Sequence, residues 1–404
     1  MTSLLIRDLR QVASPAGRGA PLRGTDLGRT DVVEDAYVLV DDGRVVDVGR
    51  MRDLPALDGE VQEVDGRGRC AVPGLVDCHT HAAFAGDRVE EFALRAGGAS
   101  YEELHAAGGG ILATVRATRA AGDEGIGAAV GEHRDAMLRA GTTTFESKSG
   151  YGLDDATELS SLRAIRAAGG IPTWLGAHAV PPEFESGDAY LDFALSEVLP
   201  KAAAVAEGAD VFLERGAFDA DQARRYLAAC KSAGLVLRLH GDQFTEAGAI
   251  PLAIELEAAS VDHLEATGEA GIRALAGSDV VAVLLPASAL FLARPMPPAR
   301  ALVDAGAAIA LATDFNPGSA FCESLPLVCS LACTQLKLSP SEAFAACTVN
   351  AAHVLRRAAR KGRIARGYDA DLLLLDVPDW RYLAYHLGGD LDIEPIVAGR
   401  GALR

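Results

Sequence analysis

The rhythm of the chain between residues 71 and 361 constrains its fold more than any other feature. Eight short apolar runs occur there: Leu75–His79, Thr142–Ser147, Thr173–His178, Asp210–Glu214, Val236–His240, Ser260–Leu264, Val280–Leu285 and Ala308–Thr313. Ala-rich stretches of helical texture separate them, among them Glu158–Ala168, Ala220–Ser232, Ala247–Ala258 and Glu269–Leu275. Runs that alternate with helices in this way become parallel strands with helical crossovers. Eight β/α units over about 290 residues predict a closed (β/α)8 barrel of the TIM type, because an open doubly wound sheet imposes no such count. Further helices are expected at Leu325–Leu336 and Ser341–Arg357.

Outside this span the texture is that of strands. Ala36–Val40 and Arg44–Val48 flank Asp41-Asp42-Gly43, a hairpin signal. Beyond Gly362, Leu372–Leu375 and Ile396–Ala398 again read as strands. Residues 1–70 and 362–404 are therefore expected to form one small β-sandwich domain from both chain ends, beside a barrel domain of 71–361.

The net charge of −18 argues against a nucleic-acid partner, since no basic surface would neutralise phosphates. The seven cysteines are scattered with no Cys-x-x-Cys pair, which favours reduced thiols over a disulfide framework. The N-terminus lacks the apolar core of a signal peptide, and no stretch of apolar residues is long enough to cross a membrane. A soluble cytoplasmic protein acting on a small molecule is expected. A homodimer is the default assembly.

The sharpest local signal is the strand end Cys78-His79-Thr80-His81. Residues two apart on a strand face the same way, so two imidazoles there can reach one metal ion. Other strand ends carry His178, His240, His263 and Asp314. Five of the nine histidines thus fall at one rim, the face where such barrels place their chemistry. The remaining His105, His133, His353 and His386 lie in helical or peripheral segments and read as structural. Histidines with a carboxylate suit zinc or ferrous iron, and an ion so held acidifies a bound water. A nearby carboxylate can then take a proton and return it to a leaving nitrogen. No Gly-x-Gly-x-x-Gly follows a strand to suggest a nucleotide cofactor.

Pro73-Gly74-Leu75-Val76-Asp77-Cys78-His79-Thr80-His81, with the single histidines and Thr313-Asp314, resembles the amidohydrolase superfamily. Longer stretches are similar to the imidazolonepropionase family of histidine degradation: Phe84–Arg88, Gly108–Ile111, Lys148–Leu153, Gly176–Pro182, Ala282–Pro286 and Ala312–Ser319, with a trace at Tyr385-His386. The resemblance implies hydrolysis of 4-imidazolone-5-propanoate to N-formimidoyl-L-glutamate by a metal-activated water. It implies one divalent ion, zinc or iron, on His79, His81, His240 and Asp314. Arg88 would grip the propionate through two charge-assisted bonds. Tyr151, His178, Gln243, Asn316, Gly318 and Ser319 would line the substrate pocket.

His263 is implied to orient the attacking water or relay its proton, with a second metal ligand as its rival role. Some relatives carry glutamate where this chain has Gln243. An amide cannot serve as a general base, so proton transfer would move to Asp314 and His263. Glu214, after the fourth strand, is the position from which a second ion would be bridged. Two other readings remain: a different amidohydrolase acting on a cyclic amide or heterocyclic amine, and an inert barrel serving as a scaffold. The last predicts missing ligands.

Overall fold

A computed structural model describes residues 3–17, 19–57, 60–98 and 109–401. His105 and Gly108 lie outside the described residues. The N-terminal part supplies β1 (Ser3–Pro15), β2 (Thr30–Asp41), β3 (Arg44–Arg50), β4 (Val61–Asp65) and β5 (Cys70–Pro73). Then come the barrel strands β6 (Leu75–Asp77), β7 (Thr142–Lys148), β8 (Ile171–Ala177), β9 (Gly208–Leu213), β10 (Val236–Gly241), β11 (Ser260–His263), β12 (Val281–Leu284) and β13 (Ile309–Leu311). The C-terminal part returns as β14 (Leu372–Leu375), β15 (Ile393–Val397) and β16 (Arg400–Gly401). Three helices bear on the site: α1 (Val89–Ala96), α2 (Ile111–Arg139) and α3 (Asp155–Ala167).

Strands from the two chain ends share one mixed eight-stranded sheet, in the order β16-β15-β14-β5-β1-β2-β3 with β4 beside β1. Leu4, Ile6, Val38, Val40, Val45, Ala71, Leu372, Leu374 and Ile396 meet in one core, so the sheet curls over itself as a sandwich does. The hairpin forms at Asp41–Arg44 as its turn residues predict. β1 is longer than the short strands expected. Its register on β2 shifts between Ile6 and Leu9, where Asp8 turns to φ 53. This bulge absorbs the polar Arg7-Asp8 step that interrupts the apolar alternation.

The second sheet runs β13-β12-β11-β10-β9-β8-β7-β6, all parallel, and each strand overlaps one of the eight apolar runs. Closure happens just beyond β6 and β13. The Asp314 N–H donates to the His79 carbonyl at 3.1 Å and the His81 N–H to the Phe315 carbonyl at 2.9 Å. The His-x-His segment is thus also the seam of the barrel.

One helix differs from expectation. The 341–357 stretch is Pro340–Ala345, then a widened turn at Ala346–Asn350, then Ala351–Val354. That turn carries Asn350, whose amide bonds the Leu22 backbone at 2.7 and 2.9 Å and the Ile309 carbonyl at 2.7 Å. The link ties the N-terminal segment to the barrel floor, and a wider turn is a common way to place such a group.

Candidate metal centre and active site

His79 and His81 follow β6, Tyr151 follows β7, His178 follows β8, and His240 lies on β10. His263 ends β11 and Asp314 follows β13. The strand order brings all of them to one rim, as predicted. His263 at φ 84, Leu264 at φ 73 and Asp314 at φ 56 occupy left-handed backbone where strands give way to loops. Such positions are uncommon for residues with side chains and gather at functional sites.

The imidazoles converge. His81 Nε2 lies 3.1 Å from His240 Nε2, and Asp314 Oδ1 lies 3.5 Å from both His79 Nε2 and His81 Nε2. Among the described residues, ligand atoms of His79, His81 and Asp314 all fall within 4.8 Å of one another, as do those of His79, His240 and His263. The outer nitrogens set the tautomers. His79 Nδ1 pairs with Asp262 at 2.5 Å, and His240 Nδ1 with Asp210 at 3.0 Å. Each Nδ1–H donates outward, so each Nε2 presents a lone pair inward. Among the described residues, buried His79 Nε2 has no hydrogen-bond partner. Burial first, with Lys148 and the neighbouring histidines, holds His79 well below the usual imidazole range. Burial, with His240 and His178, does the same for His81. Neutral, inward-facing lone pairs beside a carboxylate suit one divalent cation.

Beneath them lies a polar layer that sequence reading did not single out. Lys148 is fully buried, with Nζ 2.9 Å from Glu146 and 3.1 Å from Asp210. Glu146 also accepts from the Thr80 N–H at 3.2 Å. Burial alone would raise Asp210, yet His240 and Lys148 hold it ionised, below the usual carboxylate range.

Around the rim, Arg88 departs from its expected role in one respect. Its Nε donates to Glu91 at 2.8 Å and its Nη2 to the other Glu91 oxygen, so the two-pronged face is already engaged. Among the described residues, Nη1 is the prong left. It lies against Gly318, where a Cβ would come within 2.0 Å of it. Tyr151 sits in a turn gripped by Glu158 of α3, which accepts from the N–H groups of Gly150 at 3.0 Å, Gly152 at 2.9 Å and Leu153 at 2.9 Å. His178 Nδ1 bonds the Gly150 carbonyl at 2.9 Å, and burial, with His240, pushes the ring down to about 4. His178 is therefore neutral, with Nε2 left as an acceptor.

Asn316 is also more local than expected. Its Nδ2 donates to the Asp314 carbonyl at 2.6 Å and Ser319 Oγ at 2.7 Å, while its Oδ1 accepts from the Gly318 and Ser319 N–H groups at 2.8 Å. Its amide shapes the loop that presents Gly318 and Ser319. Ser319 Oγ in turn reaches Asp314 Oδ2 at 3.3 Å.

A profile described as the amidohydrolase family matches residues 70–399. The chain is 60% identical over 399 residues to an imidazolonepropionase of Rubrobacter xylanophilus, covering 96% of each, and 45% identical over 389 residues to one of Herpetosiphon aurantiacus, covering 92% of this chain and 91% of that one. The chain belongs to the imidazolonepropionase family of amidohydrolases. A guanine deaminase structure from C. acetobutylicum with bound guanine aligns over all of both chains with TM-score 0.75 at 16% identity, a likeness of fold.

Glu214, Gln243 and His263, whose roles the sequence left open, have definite surroundings. Glu214 accepts from the N–H groups of Arg215 at 2.7 Å, Phe244 at 2.8 Å and Thr245 at 3.1 Å, and from the Thr245 hydroxyl. It pins the loop after β10 and belongs to no metal-competent group among the described residues. Gln243, in that pinned loop, is buried at the rim. His263 lies at ligand distance from His79 and His240, and Glu265 is 3.5 Å from its Nδ1. Burial opposes its charge, but Glu265 and Asp314 outweigh burial and raise it above the usual imidazole range. His133 is a satisfied interior histidine, its Nδ1 on the Ala82 carbonyl at 2.8 Å, as its helical setting predicts. For Asp262 a signal was available, an acid in a barrel strand directly before His263; Asp210 lies three residues before the end of β9, and nothing local marked it. Nothing local marked Lys148 as interior.

Proposed function

We propose that the chain hydrolyses 4-imidazolone-5-propanoate to N-formimidoyl-L-glutamate in histidine degradation. The observation that carries this reading is the 60% identity to an imidazolonepropionase across 96% of the chain. His79, His81, His240 and Asp314 would hold one ion, zinc or ferrous iron, both of which suit this donor set. When bound, the ion supplies Lewis acidity that brings water toward ionisation at neutral pH.

The chain's own groups do the rest. Arg88 Nη1 pairs with the substrate carboxylate, aimed by Glu91 and by the space above Gly318. Tyr151 and His178 line the ring's pocket. Asp314 takes a proton from the attacking water at its carboxylate. His263, whose raised affinity for a proton comes from Glu265 and Asp314, supplies one to the ring nitrogen as the C–N bond breaks. Gln243 holds the water or ring by hydrogen bonds and moves no proton. The scattered spacing of the seven cysteines, with no Cys-x-x-Cys pair, supports a reducing, cytoplasmic setting. A homodimer is the assembly we expect.

The test is incubation of metallated protein with freshly made imidazolone propionate in heavy-oxygen water, read by mass spectrometry. One heavy oxygen in formimidoylglutamate and no ammonia is the expected result. Stoichiometric ammonia would instead indicate a deaminase on the same scaffold.

A further inference from the structure

Lys148 has no part in the chemistry above, yet its charge is wholly enclosed in the barrel. Its side chain is 0% exposed at the end of β7. A buried ammonium is costly unless it is paired, and this one has two carboxylates. Through Glu146, at 2.9 Å, it connects to the backbone N–H of Thr80, the residue between the two histidines of the motif. Through Asp210, at 3.1 Å, it connects to His240, whose backbone N–H and Nδ1 lie 3.1 and 3.0 Å from the same carboxylate oxygen. The β7 backbone repeats the link, since the Lys148 N–H donates to the Thr80 carbonyl at 2.9 Å.

We propose that Lys148 is a positioning residue for the metal centre: its ammonium locks Glu146 and Asp210 in place, and so fixes the His79-Thr80-His81 segment and the inward lone pair of His240 together. The physical reason is tautomer and orientation control. Asp210 must keep one oxygen on His240 Nδ1, or the ring is free to rotate or to place its proton on Nε2. A cation held on the carboxylate's other oxygen opposes both. Groups of this outer kind typically contribute ~10–100-fold to metal affinity. The inference rests on the ligand set assigned above, so its test includes a ligand variant.

The experiment is zinc titration of the metal-free full chain against a chromophoric chelator at fixed pH, paired with the visible spectrum of the cobalt form. Lys148→Met is expected to weaken zinc binding by ~10–100-fold and to alter the cobalt bands. Asp210→Asn should do likewise. Because Lys148 acts partly through Asp210, the double variant should lose less than the product of the two single losses. A folded Lys148→Met chain with parental zinc affinity and an unchanged cobalt spectrum would overturn the proposal, whatever its melting temperature. Should Lys148→Met not fold, Lys148→Gln and Asp210→Asn decide the matter: parental affinity in both refutes it, and weakened affinity in both supports it. His79→Ala is the control, because parental affinity there would mean that the ligand assignment itself is wrong.

Discussion

Asp77 and Thr313 clasp the two ends of the barrel sheet. Asp77, the last residue of β6, accepts the Thr313 hydroxyl at 2.6 Å and the Thr313 N–H at 3.3 Å, one residue before Asp314 and two before His79. The seam that closes the barrel therefore also sets the spacing between the motif histidines and the carboxylate opposite them. Thr313→Val keeps the shape but strands a buried acceptor, which costs about 1–3 kcal/mol. Urea unfolding should show that loss, and Thr313→Ser should largely avoid it. Equal stability of the valine and serine variants would remove the clasp from the account.

Metal removal should destabilise the fold. An ion that binds only the native chain at about 1,000 times its Kd stabilises it by about 4 kcal/mol. Chelator-treated protein is expected to melt earlier and to recover on adding one equivalent of zinc or ferrous iron. His79→Ala and Asp314→Ala should prevent the recovery. Elemental analysis showing two tightly held ions per chain would contradict the single centre.

Arg88 and Gly318 should behave as one unit. Arg88→Ala loses a charge-assisted contact of about 1.5–3 kcal/mol, or roughly ten- to 150-fold in apparent substrate binding. Gly318→Ala forces a methyl into the guanidinium and should raise KM in the same direction, with zinc content unchanged. Arg88→Lys should recover only part, because an ammonium cannot hold Glu91 and the substrate in fixed directions. Parental kinetics in Gly318→Ala would show that Arg88 Nη1 is not the group the substrate meets.

Glu158 is predicted to act at a distance. Glu158→Gln replaces one acceptor oxygen with an amide that faces backbone N–H donors, loosening the Gly150–Leu153 turn. Tyr151 then loses its fixed position, so KM should rise several-fold while metal content stays at the parental level. A variant that lost metal with KM unchanged would place Glu158 in support of the centre instead.

Asn316→Ala should mimic loss of the whole loop. Without its amide, the Gly318 and Ser319 N–H groups and the Asp314 carbonyl lose their shared partner, at about 1 kcal/mol for each hydrogen bond. Activity should fall more than in Ser319→Ala, which removes one contact to Asp314. The reverse order would return Asn316 to direct substrate contact.

By itself the sequence determined the periodic part of the molecule. Apolar runs spaced by helices require parallel strands, and residues at the ends of eight such strands must share a rim, so His79, His81, His178, His240, His263 and Asp314 could be grouped before any coordinates. Local turn chemistry likewise placed the Asp41–Arg44 hairpin. Tertiary structure decided what depends on neighbours distant in the chain. Lys148 is only the first residue of a matching stretch until Glu146 and Asp210 are seen to enclose it, and whether a charge can be buried depends on partners that only folding supplies. Arg88 reads as a free two-pronged anion anchor until Glu91 is found on two of its nitrogens. Asn316 reads as a pocket residue until its amide is traced into its own loop. Spacing along a chain dictates which residues face the same way, but a hydrogen-bonding group is committed by whichever partner lies within about 3 Å, and that is a property of the packed molecule.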